Sequence, residues 1–289
     1  MYFDFSNYPL SNIRYGGSER KLGILINGEP YMLKFQKITQ FGKRNNHLSE
    51  YLGSHIFELL GFNVHQTYLG SYKNEAVVAC KDFVCNGYEF VPFNDVGEST
   101  IETDKEKYQY SYNDIILLLE KNKKITSIEE TVSIFFDMFI VDALIGNFDR
   151  HGANWGFLKK DNKYSLAPIF DNGSSLFPQL VNEDEMKLIL SDEDELNERV
   201  YKFPTSQIKL NDKKSSYFEV ISSLKFNEIN KSLLNIYPKI NLKKINSLIG
   251  SLNISNIHKQ FYKRMIEERF NKIIKYSYEK LEVNKCKVI

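Results

Sequence analysis

Apolar and polar positions change their period near residue 110. Before that point the apolar residues come in short runs. "KLGILING" and "PYMLKFQK" read as two strands, joined at Asn27 and Gly28. An Asn-Gly pair between such runs is a strong hairpin signal. "NNHLSEYLGSHIFELLGF" then places Leu48, Leu52, Ile56, Leu59 and Leu60 at helical spacing, with Gly61 as the stop. "TYLGSYKNEAVVACKDFV" returns to strands. After residue 110 the helical period dominates. "YNDIILLLEKN" is a short helix, and "TSIEETVSIFFDMFIVDALIGN" is the strongest one. There Val132, Phe135, Phe136, Phe139, Ile140, Ala143 and Leu144 repeat with helical period, and Gly146 ends the run. Ser127 and Glu130 have the spacing of a capping box. "NWGFLKK", the turn "DNK" and "YSLAPIF" predict a second hairpin. The remainder reads as mostly helical, with segments at 216–224, 241–250 and 255–277. The acidic "NEDEMKLILSDEDELNER" reads as a loop or an exposed helix, and the basic tail as an amphipathic helix. Both are solvated faces by ordinary surface composition. The pattern is α+β: a small sheet carrying one helix, followed by a larger, mostly helical part.

Composition narrows the function classes. The chain has 289 residues, 42% of them hydrophobic and 26% charged, within the range of soluble globular proteins. Lys and Arg total 38 against 37 Asp and Glu, so charge gives no reason to expect a nucleic-acid partner. Cys80, Cys85 and Cys286 are odd in number and have no zinc spacing. No leader opens the chain, and no apolar run reaches the roughly 18 residues of a membrane span. The expectation is a cytoplasmic protein without a transmembrane segment, with export by a leaderless route left open.

The loop "IGNFDRHGANWGFL" holds the concentrated chemistry. Asp149 and Asn154 lie five positions apart, and Asp171 follows in "IFDNGSS" at the far end of the second hairpin. Folding of the hairpin is expected to return Asp171 to the loop. Two carboxylates and an amide oxygen are hard ligands suited to Mg²⁺, which takes one or two carboxylates together with substrate phosphates. That set suits phosphoryl transfer. The N-terminal sheet offers the remaining parts in kinase order. "RYGGSERKLGI" supplies Gly16, Gly17 and Ser18 as a phosphate-covering turn. Lys34 sits in the apolar strand "YMLKF" and needs a partner or a ligand there. Glu50 on the first helix is the candidate partner, with Glu58 competing on the same helix. His151 packs within the loop or touches substrate, and Arg150 reads as solvated.

These motifs resemble the HipA-type kinases, and among them the shorter stand-alone CtkA-like Ser/Thr kinases. The resemblance is carried by "YGGSERKLGILING", "YMLKF", "SEYLGSHIFELLG", "ACKDF", "IGNFDRHGANWGFL" and "APIFDNGSSLF", over about residues 14–177. It implies a two-lobed protein-kinase-like fold, with an N-lobe at 1–83, a helical C-lobe at 84–289 and ATP bound between them. It implies that Asp149 is catalytic, that Asn154 and Asp171 bind Mg²⁺, and that Lys34 contacts the ATP phosphates. It places Lys81, Asp82 and Phe83 at a hinge that reads adenine through backbone groups. The implied activity is Mg²⁺- and ATP-dependent transfer of the γ-phosphate to Ser or Thr of a protein, including the chain itself at Ser18. The extra N-terminal subdomain of full-length HipA toxins has no counterpart here. "DNG" replaces the "DFG" of eukaryotic protein kinases, so the Phe-packing switch of those enzymes does not carry over. "DRH" also resembles the loop of phosphoinositide kinases. A lipid kinase and a catalytically idle ATP-binding module are therefore the alternatives.

Overall fold

Strand pairs in this protein turn through two residues that both stand at positive φ: Asn27–Gly28, Lys73–Asn74, Asp161–Asn162 and Asn211–Asp212. Such turns match the right-handed twist of the strands they join, and Asn, Asp and Gly enter that region at least cost. The computed structural model describes residues 2–16, 19–40, 42–85, 87–96, 111–121 and 125–286. Gly17 and Ser18, expected to cover phosphates, lie outside the described residues. The chain divides into two compact units, Met1–Gly87 with Pro168–Asn182, and Tyr88–Ala167 with Glu183–Ile289.

In chain order the first unit holds β1 (Phe3–Asp4), β2 (Lys21–Ile26), β3 (Glu29–Phe35), β4 (Ile38–Thr39), β5 (Gly42–Lys43), α1 (Asn46–Leu59), β6 (Thr67–Tyr72) and β7 (Glu75–Lys81). The main sheet runs β1-β6-β7-β3-β2, and β4 pairs with β5. β1 joins β6 in parallel, and the other neighbours are antiparallel. One core gathers Phe5, Ile24, Tyr31, Leu33, Phe35, Val77 and Ala79. α1 packs against β6 and β7 and buries Leu48, Leu52, Ile56 and Phe57. Pro168–Asn182 belongs to this unit through its backbone. Val64 bridges Ile169, the His65 N–H donates to Ile169 O at 3.1 Å, and the Asn45 N–H donates to Pro178 O at 2.6 Å.

The second unit begins with β8 (Glu89–Pro92), α2 (Phe93–Val96), α3 (Tyr112–Lys121) and α4 (Ile128–Ile145). The hairpin β9 (Gly156–Lys160) and β10 (Lys163–Leu166) follows and forms a sheet in the order β10-β9-β8. Next come α5 (Glu183–Ser191), α6 (Glu193–Asn197), β11 (Thr205–Leu210), β12 (Lys213–Ser216), α7 (Tyr217–Ser222), α8 (Asn227–Ile236), α9 (Leu242–Gly250), α10 (Asn256–Arg269) and α11 (Tyr276–Cys286). α4 is buried from Phe135 to Ile145 and packs against α8 and α10. Its start at Ser127 is where the sequence places it, but the capping box does not form. The Ser127 side chain makes no cap bond, and its carbonyl accepts from the Thr131 N–H and Oγ1 instead. The acidic stretch forms α5 and α6, anchored by buried Met186, Ile189 and Leu196. Among the described residues no helix is long and apolar enough to cross a membrane.

Candidate active site

Lys34 stands on β3 with its side chain 7% exposed, and its Nζ lies 2.9 Å from Glu50 Oε2 and 2.9 Å from Asp171 Oδ1. Burial alone would lower the lysine pKa, but the carboxylates of Asp171 and Glu50 outweigh it and hold the ammonium well above its ordinary value. For Glu50 burial pushes upward, and Lys34 with His65 overcomes it and holds the carboxyl below the usual range. Glu58, the competing acid, is exposed and pairs with His55 at 2.9 Å. The ammonium has three donors and these two contacts use two of them, which leaves one for a phosphate oxygen. Asp171 is at φ 58 and its side chain is 37% exposed.

Behind this pair, Glu50, His65 and Cys80 bring a carboxylate oxygen, an imidazole nitrogen and a sulfur within 4.8 Å of one another. The three come from different elements, which is why no spacing in the sequence reveals them. Burial pushes the Cys80 thiol well up, and Glu50 pairs with Lys34. At the expected hinge, the Lys81 N–H donates to Gln66 O, the Asp82 N–H to Pro30 O and the Val84 N–H to Asp82 Oδ1. The Lys81 side chain pairs with Glu29 at 2.7 Å, and the Phe83 ring lies 5.4 Å from that of Phe170. Tyr15 Oη donates to Asp82 Oδ2 at 2.9 Å and ties the stretch before Gly16 to this segment.

In the second unit, α4 ends at Gly146 with φ 63, the left-handed cap that glycine adopts at least cost. The chain then folds back onto the helix it has left. The Asn147 N–H donates to Asp142 O at 3.0 Å, and Asn147 Nδ2 donates to Asp142 Oδ1 at 3.0 Å. The Asp149 N–H donates to Asn147 Oδ1 at 3.1 Å. Arg150 is buried. Its Nε donates to Asp142 Oδ2 at 3.0 Å, its Nη2 to Asp142 Oδ1 at 3.1 Å and its Nη1 to Asn154 O at 3.0 Å. Asn154 Nδ2 donates to Asp149 O at 2.7 Å, so its Oδ1 is the atom left to serve as a metal ligand. His151 Nδ1 accepts from the Ala153 N–H at 3.2 Å, so Nε2 carries the hydrogen and faces Asp149 Oδ1 at 3.8 Å. Tyr217 Oη donates to Asn147 O at 2.6 Å, and Arg269 Nε donates to Ala143 O at 2.6 Å at the C-terminal end of α4.

These placements can be set beside known proteins. The model of the HipA-like C-terminal domain matches residues 13–231. The chain belongs to that family. It is 40% identical over 267 residues to the serine/threonine-protein kinase CtkA of Helicobacter pylori strain J99, covering 90% of this chain and 82% of that protein. The crystal structure of a Helicobacter pylori proinflammatory kinase CtkA superposes with a TM-score of 0.89 at 38% identity, over 97% of this chain and 98% of that one. HipA of Shewanella oneidensis MR-1, solved with HipB and operator DNA, matches with a TM-score of 0.60 over 94% of this chain and 67% of that one. At 16% identity that likeness concerns the fold.

Within this HipA-like site, sequence reasoning missed the residues that hold the loop. Arg150 was read as solvated, yet its side chain is 4% exposed and that of Asp142 1%. Burial pushes the Asp142 carboxyl up despite the opposing pull of Arg150. The i, i+8 spacing across a helix end carries no local signal, and Tyr217 and Arg269 are remote in sequence. Removing one partner of a buried ion pair leaves an uncompensated charge. Arg150→Met is expected to destabilise the protein by about 3–5 kcal/mol, read from the denaturant midpoint. An unchanged midpoint would show that this pair does not hold the loop.

Proposed function

We propose that this chain is a cytoplasmic, Mg²⁺- and ATP-dependent serine/threonine protein kinase. The observation that carries the reading is Lys34 held between Glu50 and Asp171. A lysine fixed by a helix acid and facing a second acid is arranged to take a phosphate while its charge stays permanent. Asp149 accepts the proton of the substrate hydroxyl as its oxygen bonds to the γ-phosphorus and the bond to the β–γ bridging oxygen breaks, releasing ADP. Asn154 Oδ1 and the Asp171 carboxylate are hard oxygen donors of the kind Mg²⁺ takes. When bound there, Mg²⁺ supplies positive charge against the phosphates. Gly16, with Gly17 and Ser18 beyond the described residues, would cover the phosphates in this reading. Lys81 to Phe83 border adenine, and His151 steadies the Asp149 loop.

A membrane-lipid substrate finds little support. Several basic residues of α10 and of the segment leading into α11 are paired with acids: Arg264 with Glu268, Lys272 with Glu193 and Glu268, and Lys275 with Glu279. An idle module is disfavoured because the chain keeps Asp149, Asn154 and Asp171, and Lys34 is paired with both Glu50 and Asp171. Incubation of purified protein with Mg²⁺ and γ-labelled ATP, beside Asp171→Asn, decides the matter. Acid-stable phosphoserine or phosphothreonine on the wild type alone is expected, with self-labelling mapped against Ser18. ATP binding with no transfer to protein, to a panel of protein substrates or to itself would overturn the reading.

A further inference from the structure

Asp171 adopts φ 58, a region that side chains other than glycine enter only at an energetic cost, so something must hold it there. Lys34 restrains its carboxylate, but the backbone is restrained from the other side. The Asn172 N–H donates to Glu50 Oε1 at 3.2 Å, and Asn172 Nδ2 donates to Ser54 Oγ at 3.1 Å. His65 Nε2 lies 3.1 Å from the same Ser54 Oγ and 2.9 Å from the same Glu50 Oε1. A carboxylate only accepts, so Nε2 carries the hydrogen and shares it between Glu50 Oε1 and Ser54 Oγ, and Ser54 Oγ accepts from both His65 and Asn172. The bonds close a ring: Glu50, His65, Ser54, Asn172 and back to Glu50. Ile169, two residues before Asp171, is held by the same histidine, whose backbone N–H donates to Ile169 O at 3.1 Å. Ser54 and Glu50 are each 1% exposed, His65 4% and Asn172 0%.

We propose that Ser54, His65 and Asn172 are positioning residues that set the Asp171 carboxylate for Mg²⁺ and phosphate. The inference rests on the kinase reading above. A closed, buried polar ring is an uneconomical way to fill a core, where apolar side chains of like volume serve as well or better. What such a ring provides is one defined arrangement. Here the bonds converge on the residue that follows Asp171. Glu50 belongs to two circuits, taking Lys34 on Oε2 and the ring on Oε1. The ring therefore sets the phosphate lysine and the metal aspartate against each other.

The test measures ATP affinity by calorimetry with Mg²⁺ and again with EDTA, on wild type, Ser54→Ala, His65→Leu and His65→Gln. Amide hydrogen exchange across residues 169–173 is followed without nucleotide. Ser54→Ala is close to isosteric and keeps the test alive if His65→Leu fails to fold, which thermal melting shows. In Ser54→Ala and His65→Leu the affinity with Mg²⁺ is expected to fall about tenfold, the weight of one buried hydrogen bond. Affinity in EDTA should stay at the wild-type value while exchange at 169–173 accelerates. His65→Gln, whose amide can still donate to Glu50, should restore part of the Mg²⁺ effect. Folded Ser54→Ala with wild-type Mg²⁺ enhancement and wild-type exchange would overturn the inference alone. A wild type whose ATP binding ignores Mg²⁺ would overturn the kinase reading and this inference together.

Discussion

Asp149→Asn is expected to keep its fold and its ATP affinity while losing phosphoryl transfer by about a thousandfold or more. The Asp149 side chain is 45% exposed, so exchanging one carboxylate oxygen for an amide nitrogen opens no cavity. Its backbone place is set by the Asn147 side chain and by Asn154, and neither bond involves the carboxylate. On the proposed mechanism, what disappears is the carboxylate that accepts the substrate hydroxyl proton. Initial rates of label transfer, beside calorimetric ATP affinity and a thermal melt, separate the effects. Transfer within tenfold of wild type would remove Asp149 from its role, and a lost melt would make it structural instead.

Lys34→Met carries the other large effect, on stability and function together. It leaves the Glu50 carboxylate buried without its cation, at a cost of about 3–5 kcal/mol. The pH dependence gives the claim its sign. Glu50 is held below its ordinary value, so its contribution is complete above an unfolded carboxyl pKa of about 4.3 and disappears as pH falls toward the folded value. Lys34 is held above its ordinary value, so its contribution is complete below about pH 10.4 and is lost as pH rises through the folded value. The pair therefore stabilises fully between about pH 5 and pH 10. The stability gap between wild type and Lys34→Met, from denaturant midpoints, is expected to hold across that window and to narrow by pH 3. Adding Glu50→Gln to Lys34→Met should recover part of the stability and none of the ATP affinity. A gap that is flat from pH 7 to pH 3 would show that the ion pair is not its source.

Much of this was legible in the chain because the signals were local. Asn27–Gly28 announced its hairpin, the helical repeat from Val132 to Leu144 announced α4, and Lys34 in an apolar strand announced a missing partner. What stayed hidden depends on contacts far apart in sequence. Ser54, His65 and Asn172 meet across α1, the start of β6 and the strap that carries Asp171. Arg150 looks like a surface residue until Asp142 is seen beneath it. The hairpin β11–β12 escaped notice because "TSQIKLNDKKSS" is too polar to read as strand without its neighbours. α8 was absorbed into the general expectation of helix. Of Gly16, Gly17 and Ser18, only Gly16 lies among the described residues.

The first unit is built from two stretches of chain, Met1–Gly87 and Pro168–Asn182. That division governs how the protein can be made. A ribosome releases β1 to β7 and α1 early, yet the backbone acceptors that Asn45 and His65 require, at Pro178 and Ile169, arrive only after α4 and the β9–β10 hairpin have been translated. Until then Glu50 has Lys34 but neither the Asn172 N–H nor the closed ring, and Asp171 does not yet exist. A nascent chain or a product cut short before residue 171 holds Lys34 and Glu50 but lacks Asp171, the second carboxylate at the lysine. The second carboxylate that faces Lys34 therefore arrives late in synthesis, with the strap that carries it.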